Sequence, residues 1–195
     1  MIGRATTPGL IAARARRWKA LSALAVMVLV VILLPPASSA GLGTPTTFTD
    51  PTGDVSGAPD VTQVGVSHTV SRALTITVNV ANEPVLLDQH VLELRFDTDM
   101  NASTGSGSGV ELLIHRLWTG STLLCTWTGA GFSCGSSSSV VSSYVNGLLT
   151  VTTTTQALGI HAGFDFSVAG YPAPLDFAPD VGSWRYLLGR ASWWP

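Results

Sequence analysis

Leu74, Ile76, Val78 and Val80 alternate with Thr75, Thr77 and Asn79, and this period of two constrains the fold more than any other feature of the chain. Successive side chains of an extended strand point to opposite faces, so such a run has one dry face and one wet face. Val64, Val66 and Val70 alternate in the same way and join the first run through Ser71-Arg72-Ala73 as a hairpin. Leu92, Leu94 and Phe96 repeat the pattern, and residues 110–118 and 122–128 flank the turn residues Thr119-Gly120-Ser121. Asn146-Gly147 between 144–145 and 148–152 is a strong hairpin signal. Further strands are expected over 164–168 and 184–188. About eight to ten short strands with Gly, Ser and Asn turns predict an all-β fold. Residues 41–195 are read as a single antiparallel β-sandwich of jelly-roll type, with a closed barrel as the alternative. Residues 41–60 read as an extended acidic lead-in, because Pro45, Pro51 and Pro59 cannot donate to a regular ladder. Residues 135–139 and 170–180 read as connectors.

The first 40 residues have a different character. Arg4, Arg14, Arg16, Arg17 and Lys19 precede a 14-residue apolar run over 21–34, which Pro35-Pro36 ends before Ala37-Ser38-Ser39-Ala40. Basic, apolar and small-residue zones in that order describe a secretory signal peptide over residues 1–40. The run is shorter than the roughly 20 residues of a spanning helix, and an uncleaved anchor is the alternative. No second apolar segment is long enough to span a membrane. After residue 40 five bases face twelve acids, a net charge of −7 with no lysine. Such a surface argues against nucleic acid, whose phosphates need basic groups. It suits cations and neutral ligands at a secreted or cell-surface location.

Cys125 and Cys134 flank Gly129-Ala130, a Gly-first pair that suits a type II′ hairpin turn. Counting outward from the turn, Thr128 faces Gly131, Trp127 faces Phe132 and Cys125 faces Cys134. That places the cysteines at a non-hydrogen-bonded pair, close enough for a disulfide. An exported protein would hold them oxidised. The local sequence offers no C-x-x-C spacing and no thiolate-activating neighbour, so the bridge reads as structural.

Asp97, Asp99 and Asn101 stand at alternate positions in Asp97-Thr98-Asp99-Met100-Asn101. Three oxygen-bearing side chains so spaced can converge on a hard cation such as Ca²⁺. An EF-hand is rejected: Ala102 holds the place of its turn glycine, Ser108 that of its bidentate glutamate, and strands flank the loop. The competing reading is a loop whose Asp and Asn serve only turn and capping bonds. If residues 97–109 form one loop, Arg95 faces Glu111 across the strand pair as an ion pair, or Glu111 supports the ion. Asp50, Asp54 and Asp60 complete the sphere if the lead-in folds over this loop; otherwise they are a solvated acidic segment. Asn101-Ala102-Ser103 also matches a glycosylation acceptor, a reading set aside for a lysine-free chain of bacterial character.

The pattern Asp50-Pro51-x-Gly53-Asp54, Ala58-Pro59-Asp60-Val61-Thr62, Asp97-x-Asp99-x-Asn101-x-x-Thr104-Gly105, Gly109-x-Glu111 and Ala178-Pro179-Asp180-x-Gly182-x-Trp184 resembles a family of uncharacterised secreted bacterial proteins. These resemble family-nine carbohydrate-binding modules and DOMON-type domains in build. The resemblance spans most of residues 48–190. It implies a sandwich that often holds calcium and binds sugars or haem, but no Met or His here stands as a recognisable haem ligand.

His68, His90, His115 and His161 show no zinc spacing, and no nucleophile elbow is present. His68 shares the apolar side of its strand and reads as a satisfied core residue. Exposed tryptophans could stack on sugar faces, which makes Trp118, Trp127, Trp193 and Trp194 weak candidates against ordinary packing. The expectation is a secreted, non-catalytic, calcium-stabilised module for a glycan or cell-envelope component. The rivals are a secreted carboxylate-dependent hydrolase and an envelope structural protein with no small ligand.

Overall fold

The structure is a computed structural model and describes residues 45–189. The expected signal peptide over 1–40, and Trp193 and Trp194, lie outside those residues. The described chain folds into twelve strands in two antiparallel sheets packed face to face as a β-sandwich. The smaller sheet has the order β1 (Thr46–Thr49), β2 (Val61–His68), β3 (Ala73–Val80), β9 (Leu148–Thr154), β8 (Val141–Val145). The larger has the order β11 (Asp176–Ala178), β10 (Gly163–Tyr171), β4 (Val91–Asp97), β5 (Leu112–Leu117), β6 (Thr122–Trp127), β7 (Phe132–Gly135), with β12 (Trp184–Leu187) also paired to β10.

β4 to β7 stay in one sheet as a meander, with a long loop over 98–111 between β4 and β5 and tight hairpins between the later strands. The chain crosses between sheets at β3–β4, β7–β8 and β9–β10, so that β9 lies beside β3 and β10 beside β4. A regular jelly roll would change sheets more often; the short turns at Gly120 and Gly129-Ala130 hold consecutive strands together instead.

The alternation seen in the sequence becomes the core. Leu74, Ile76, Val78 and Val80 point inward from β3, Leu92, Leu94 and Phe96 from β4, and Phe164, Phe166 and Val168 from β10. Each such side chain contributes about 1.5–3 kcal/mol on leaving water. The aromatic rings concentrate at one end. Phe164 lies 5.6 Å from each of Phe96, Phe166 and Tyr186, and Phe48 packs 5.1 Å from Phe166 and 5.4 Å from Trp184. The β8–β9 hairpin closes at Asn146-Gly147 with φ of 52° and 78°, as its sequence predicts. His68 is a satisfied residue: its Nδ1 lies 2.8 Å from the Tyr186 hydroxyl.

The lead-in departs from expectation. Thr46–Thr49 does form a ladder with β2, because Pro45 and Pro51 fall just outside it and the strand sits at an edge. Residues 170–180 likewise contain β11, which adds to the edge of the larger sheet. The lead-in then passes over β10: a Cβ on Gly170 would collide with the Pro59 carbonyl oxygen, so only glycine admits the crossing. Asn82 fixes this segment from the far side, donating to the Ala58 carbonyl at 2.7 Å and accepting from the Asp60 amide at 2.9 Å.

Candidate metal centres

Two groups of carboxylates gather at loops beside the large sheet. Asp97, at the end of β4, comes together with Asp99 and Glu111, each offering an oxygen within 4.8 Å of the others. Glu111 does not face Arg95. The ladder places Phe96 opposite Leu112 and Arg95 opposite Leu113, two residues away from the simple loop count. A small bridge between Ser106 and Val110 folds residues 110–111 into the loop and aims Glu111 at its acids.

Hydrogen bonds inside this loop are extensive. The Asn101 amide donates to Asp97 Oδ1 and to Asp99 Oδ1, both at 3.0 Å. Glu111 Oε2 accepts the Thr98 amide at 2.8 Å, and the Thr104 hydroxyl bridges Glu111 Oε1 and Asp99 Oδ1 at 2.7 and 3.1 Å. The Asn101 carboxamide oxygen, expected on the ion, accepts the Ser103 amide at 3.1 Å. Burial, a bond shared with Asp99 and the charge of Glu111 raise the Asp97 carboxyl above its ordinary range. Gly109 closes the loop with φ of 86°, and a Cβ there would lie 2.5 Å from Asp97 Oδ2. Gly109→Ala should therefore cost roughly 1–3 kcal/mol, read as a lowered denaturation midpoint with an unchanged slope.

The second group unites distant parts of the chain. Asp50 and Asp54 of the lead-in meet Asp180, which follows β11, with oxygens within 4.8 Å of one another. These lead-in acids thus gather with Asp180 rather than with Asp97 and Asp99. Asp60 and Asp176 stand beside them. Asp60 Oδ2 accepts the Gly53 amide at 2.9 Å, and Asp176 Oδ2 accepts the Val61 amide at 2.5 Å. Both residues are buried. Two oxygens of the cluster, Asp50 Oδ2 and Asp60 Oδ1, are buried without any hydrogen-bond partner. Burial first, and then the charges of Asp180, Asp176 and Asp54, push Asp50 up to about 6. Burial, with Asp54, Asp60 and Asp180, pushes Asp176 up to about 6 as well.

Between the loop and the 177–185 segment lies a groove of about 410 Å³. Asp97 and Asp180 line it together with Arg95, Arg185 and Phe177. Arg185 is held in a two-point pair with Asp165, at 2.7 Å for each bond. Arg95 lies 5.0 Å over the Phe177 ring.

On the outer face of the same sheet stands an array that no local sequence pattern signals. Glu93 on β4 accepts from Arg95 Nε at 2.6 Å and from His115 Nε2 on β5 at 2.6 Å. The Tyr171 hydroxyl accepts from Arg95 at 2.9 Å and lies 3.3 Å from Glu93. Burial alone would raise the Glu93 carboxyl, but the bonds from His115 and Arg95 outweigh it and hold the group below its ordinary value. Only sheet register brings these residues together: β4 pairs with β10 on one side and with β5 on the other. His90 makes a separate buried pair with Glu83 at 2.6 Å.

Cys125 and Cys134 are joined as a disulfide at the predicted register, with Trp127 opposite Phe132. Trp127 is half-buried against Phe132, and Trp118 is exposed at the end of the β5–β6 hairpin. Neither lines the groove. Among the described residues no helix is long and apolar enough to cross a membrane. Comparison with protein-family models, with curated proteins and with solved structures found no match.

Proposed function

We propose that this sandwich is an exported, non-catalytic binding module, stabilised by calcium, for a neutral hydroxyl-rich ligand such as a glycan or a cell-envelope component. The observation that carries the calcium reading is the pair of buried, unpartnered oxygens, Asp50 Oδ2 and Asp60 Oδ1, within a five-aspartate cluster. Buried polar atoms find partners as a rule, and an orphaned one costs about 1–3 kcal/mol. An all-oxygen donor set rich in carboxylates is the chemistry of Ca²⁺. Asp50, Asp54 and Asp180 would hold the ion, with Asp60 and Asp176 beside them. The Asp97 loop satisfies its own carboxylates by hydrogen bonding and is the lesser candidate.

The ligand reading rests on the groove. It places donors (Arg95, Arg185), acceptors (Asp97, Asp180) and one aromatic face (Phe177) within a single depression, as polyol recognition requires. The disulfide and the acidic, lysine-free surface support export. Calorimetry against soluble glycans should detect binding that Phe177→Ala abolishes while the melting temperature holds. Turnover of a glycan, lost in Asp97→Asn, would favour the hydrolase instead.

Acidity provides a further check. Asp50 and Asp176 titrate higher in the folded chain than in an unfolded one, so the metal-free fold binds their protons more tightly. Their contribution is fully present below about pH 4 and is lost as pH rises through about 6. Metal-stripped protein should therefore melt at a lower temperature at about pH 7 than at about pH 5. With calcium present the trend should disappear, because the cation replaces the protons. Metal-free stability that climbs across this window would contradict the reading.

A further inference from the structure

The disulfide is asymmetric in a way that bears on its chemistry. Cys125 on β6 is fully buried, whereas Cys134 lies exposed on β7, the edge strand of the larger sheet. The ring of His115, from the adjacent β5, turns its Nδ1 toward Cys125 Sγ at 3.9 Å. Its other nitrogen, Nε2, donates to the buried Glu93 carboxylate. Glu93 is fixed in turn by Arg95, and Arg95 by Tyr171 and the face of Phe177. Carboxylate, imidazole and sulfur thus stand in one line across three neighbouring strands, a setting that no local sequence pattern around either cysteine contains.

We infer that the Cys125–Cys134 bridge is a thiol–disulfide exchange centre, attacked at Cys134 by an external thiolate, with Cys125 as the leaving sulfur and His115 as its proton donor. An incoming thiolate forms a new S–S bond to Cys134 Sγ as the Cys134–Cys125 bond breaks, and the bonding pair departs on Cys125. His115, carrying a proton on Nδ1 and braced through Nε2 by the Glu93 carboxylate, hydrogen-bonds that developing thiolate and then protonates it. A second thiol attacks the external sulfur of the mixed disulfide and releases Cys134. Two thiols are oxidised to one disulfide, and the protein disulfide is reduced to two thiols. The reductant is an ordinary thiol or dithiol. Stabilising the leaving thiolate speeds exchange, since a leaving group of lower basicity departs faster. An imidazolium neighbour is among the settings that lower a cysteine's basicity.

The groups facing His115 are few. β4 presents Glu93 and Arg95, with Tyr171 of β10 behind them, while β6 and β7 bring only the two cysteines as titratable groups. His115 therefore pairs with Glu93 through Nε2 and leaves Nδ1 facing the Cys125 sulfur, with Arg95 as a second cation on Glu93.

The test uses the folded full chain and reduced glutathione as the probe thiol. Reduction, followed by alkylation and mass spectrometry, should proceed without global unfolding, and the trapped glutathione adduct should map to Cys134. His115→Gln should slow the reaction by roughly tenfold. Glu93→Gln should slow it as well, by a smaller factor. In the reduced wild-type chain, thiolate absorbance should appear well below the ordinary cysteine value of about 8.5. It should return toward that value in His115→Gln. This titration needs no variant for its first arm, so a misfolded His115→Gln still leaves a decisive measurement. Glutathione mapped to Cys125, a wild-type thiolate titrating at the ordinary value, or a reduced chain that unfolds would each overturn the assignment. So would equal rates in wild type and a folded His115→Gln.

Discussion

Removing calcium should lower the melting temperature of the domain by roughly 5–11 °C. An ion at about 100 times its dissociation constant adds about 2.7 kcal/mol to the folded state, and each kcal/mol moves a domain of this size by about 2–4 °C. Scanning calorimetry with and without chelator measures the shift. The variants give it a sign. In Asp50→Asn one of the repelling charges is gone, so the metal-free variant should be at least as stable as the metal-free parent, yet calcium should add little. Asp180→Asn should behave the same way, because its carboxylate meets Asp50 and Asp54 from the other end of the chain. A parent protein whose melting ignores both calcium and chelator would remove the ion from the account.

Phe164→Ala should destabilise the fold by about 3–5 kcal/mol, the usual range for deleting a buried aromatic ring. Phe164 is fully buried and touches Phe96 on β4, Phe166 on its own strand and Tyr186 on β12. Its loss opens a hole where two paired strands converge, and one of the rings around it, Phe166, is itself packed on Phe48 and Trp184. Urea denaturation followed by tryptophan fluorescence reads the change directly. Thr152→Ala, at an exposed position of β9, should stay within about 0.5 kcal/mol of the parent as a control.

What could be read from the sequence was what depends on a few neighbouring residues. The β3 alternation predicted its buried face, Asn146-Gly147 predicted its hairpin, and outward counting from Gly129-Ala130 paired Cys125 with Cys134 correctly. Each depends on a period or a turn within about ten residues. The short strands β1 and β11 were missed because prolines flank them, and an edge strand tolerates what an interior strand does not. Counting 97–109 as one plain loop sets Glu111 opposite Arg95, whereas the inner Ser106–Val110 bridge keeps Glu111 in the loop and moves the register by two residues. The acids of the lead-in were legible as a group, but their partners Asp176 and Asp180 lie more than a hundred residues away. The Glu93–His115–Cys125 line had no signal at all. It is a product of register among β4, β5 and β6, and two-strand register cannot be counted across an irregular loop.

The edge position of β1 has a consequence for how the chain meets its own copies. Four residues pair with β2, Phe48 seats them on the core, and Asp50 and Asp54 follow immediately. A cation held by those acids and Asp180, as proposed, would pin the strand in place; without it the four-residue ladder and the Phe48 ring alone hold β1. If β1 peels away, β2 becomes a bare border with unpaired amides and carbonyls along its length, the template on which a neighbouring molecule adds a strand. In ion-poor medium the protein should swap β1 between molecules, and concentration-dependent dimers should dissolve again when calcium returns.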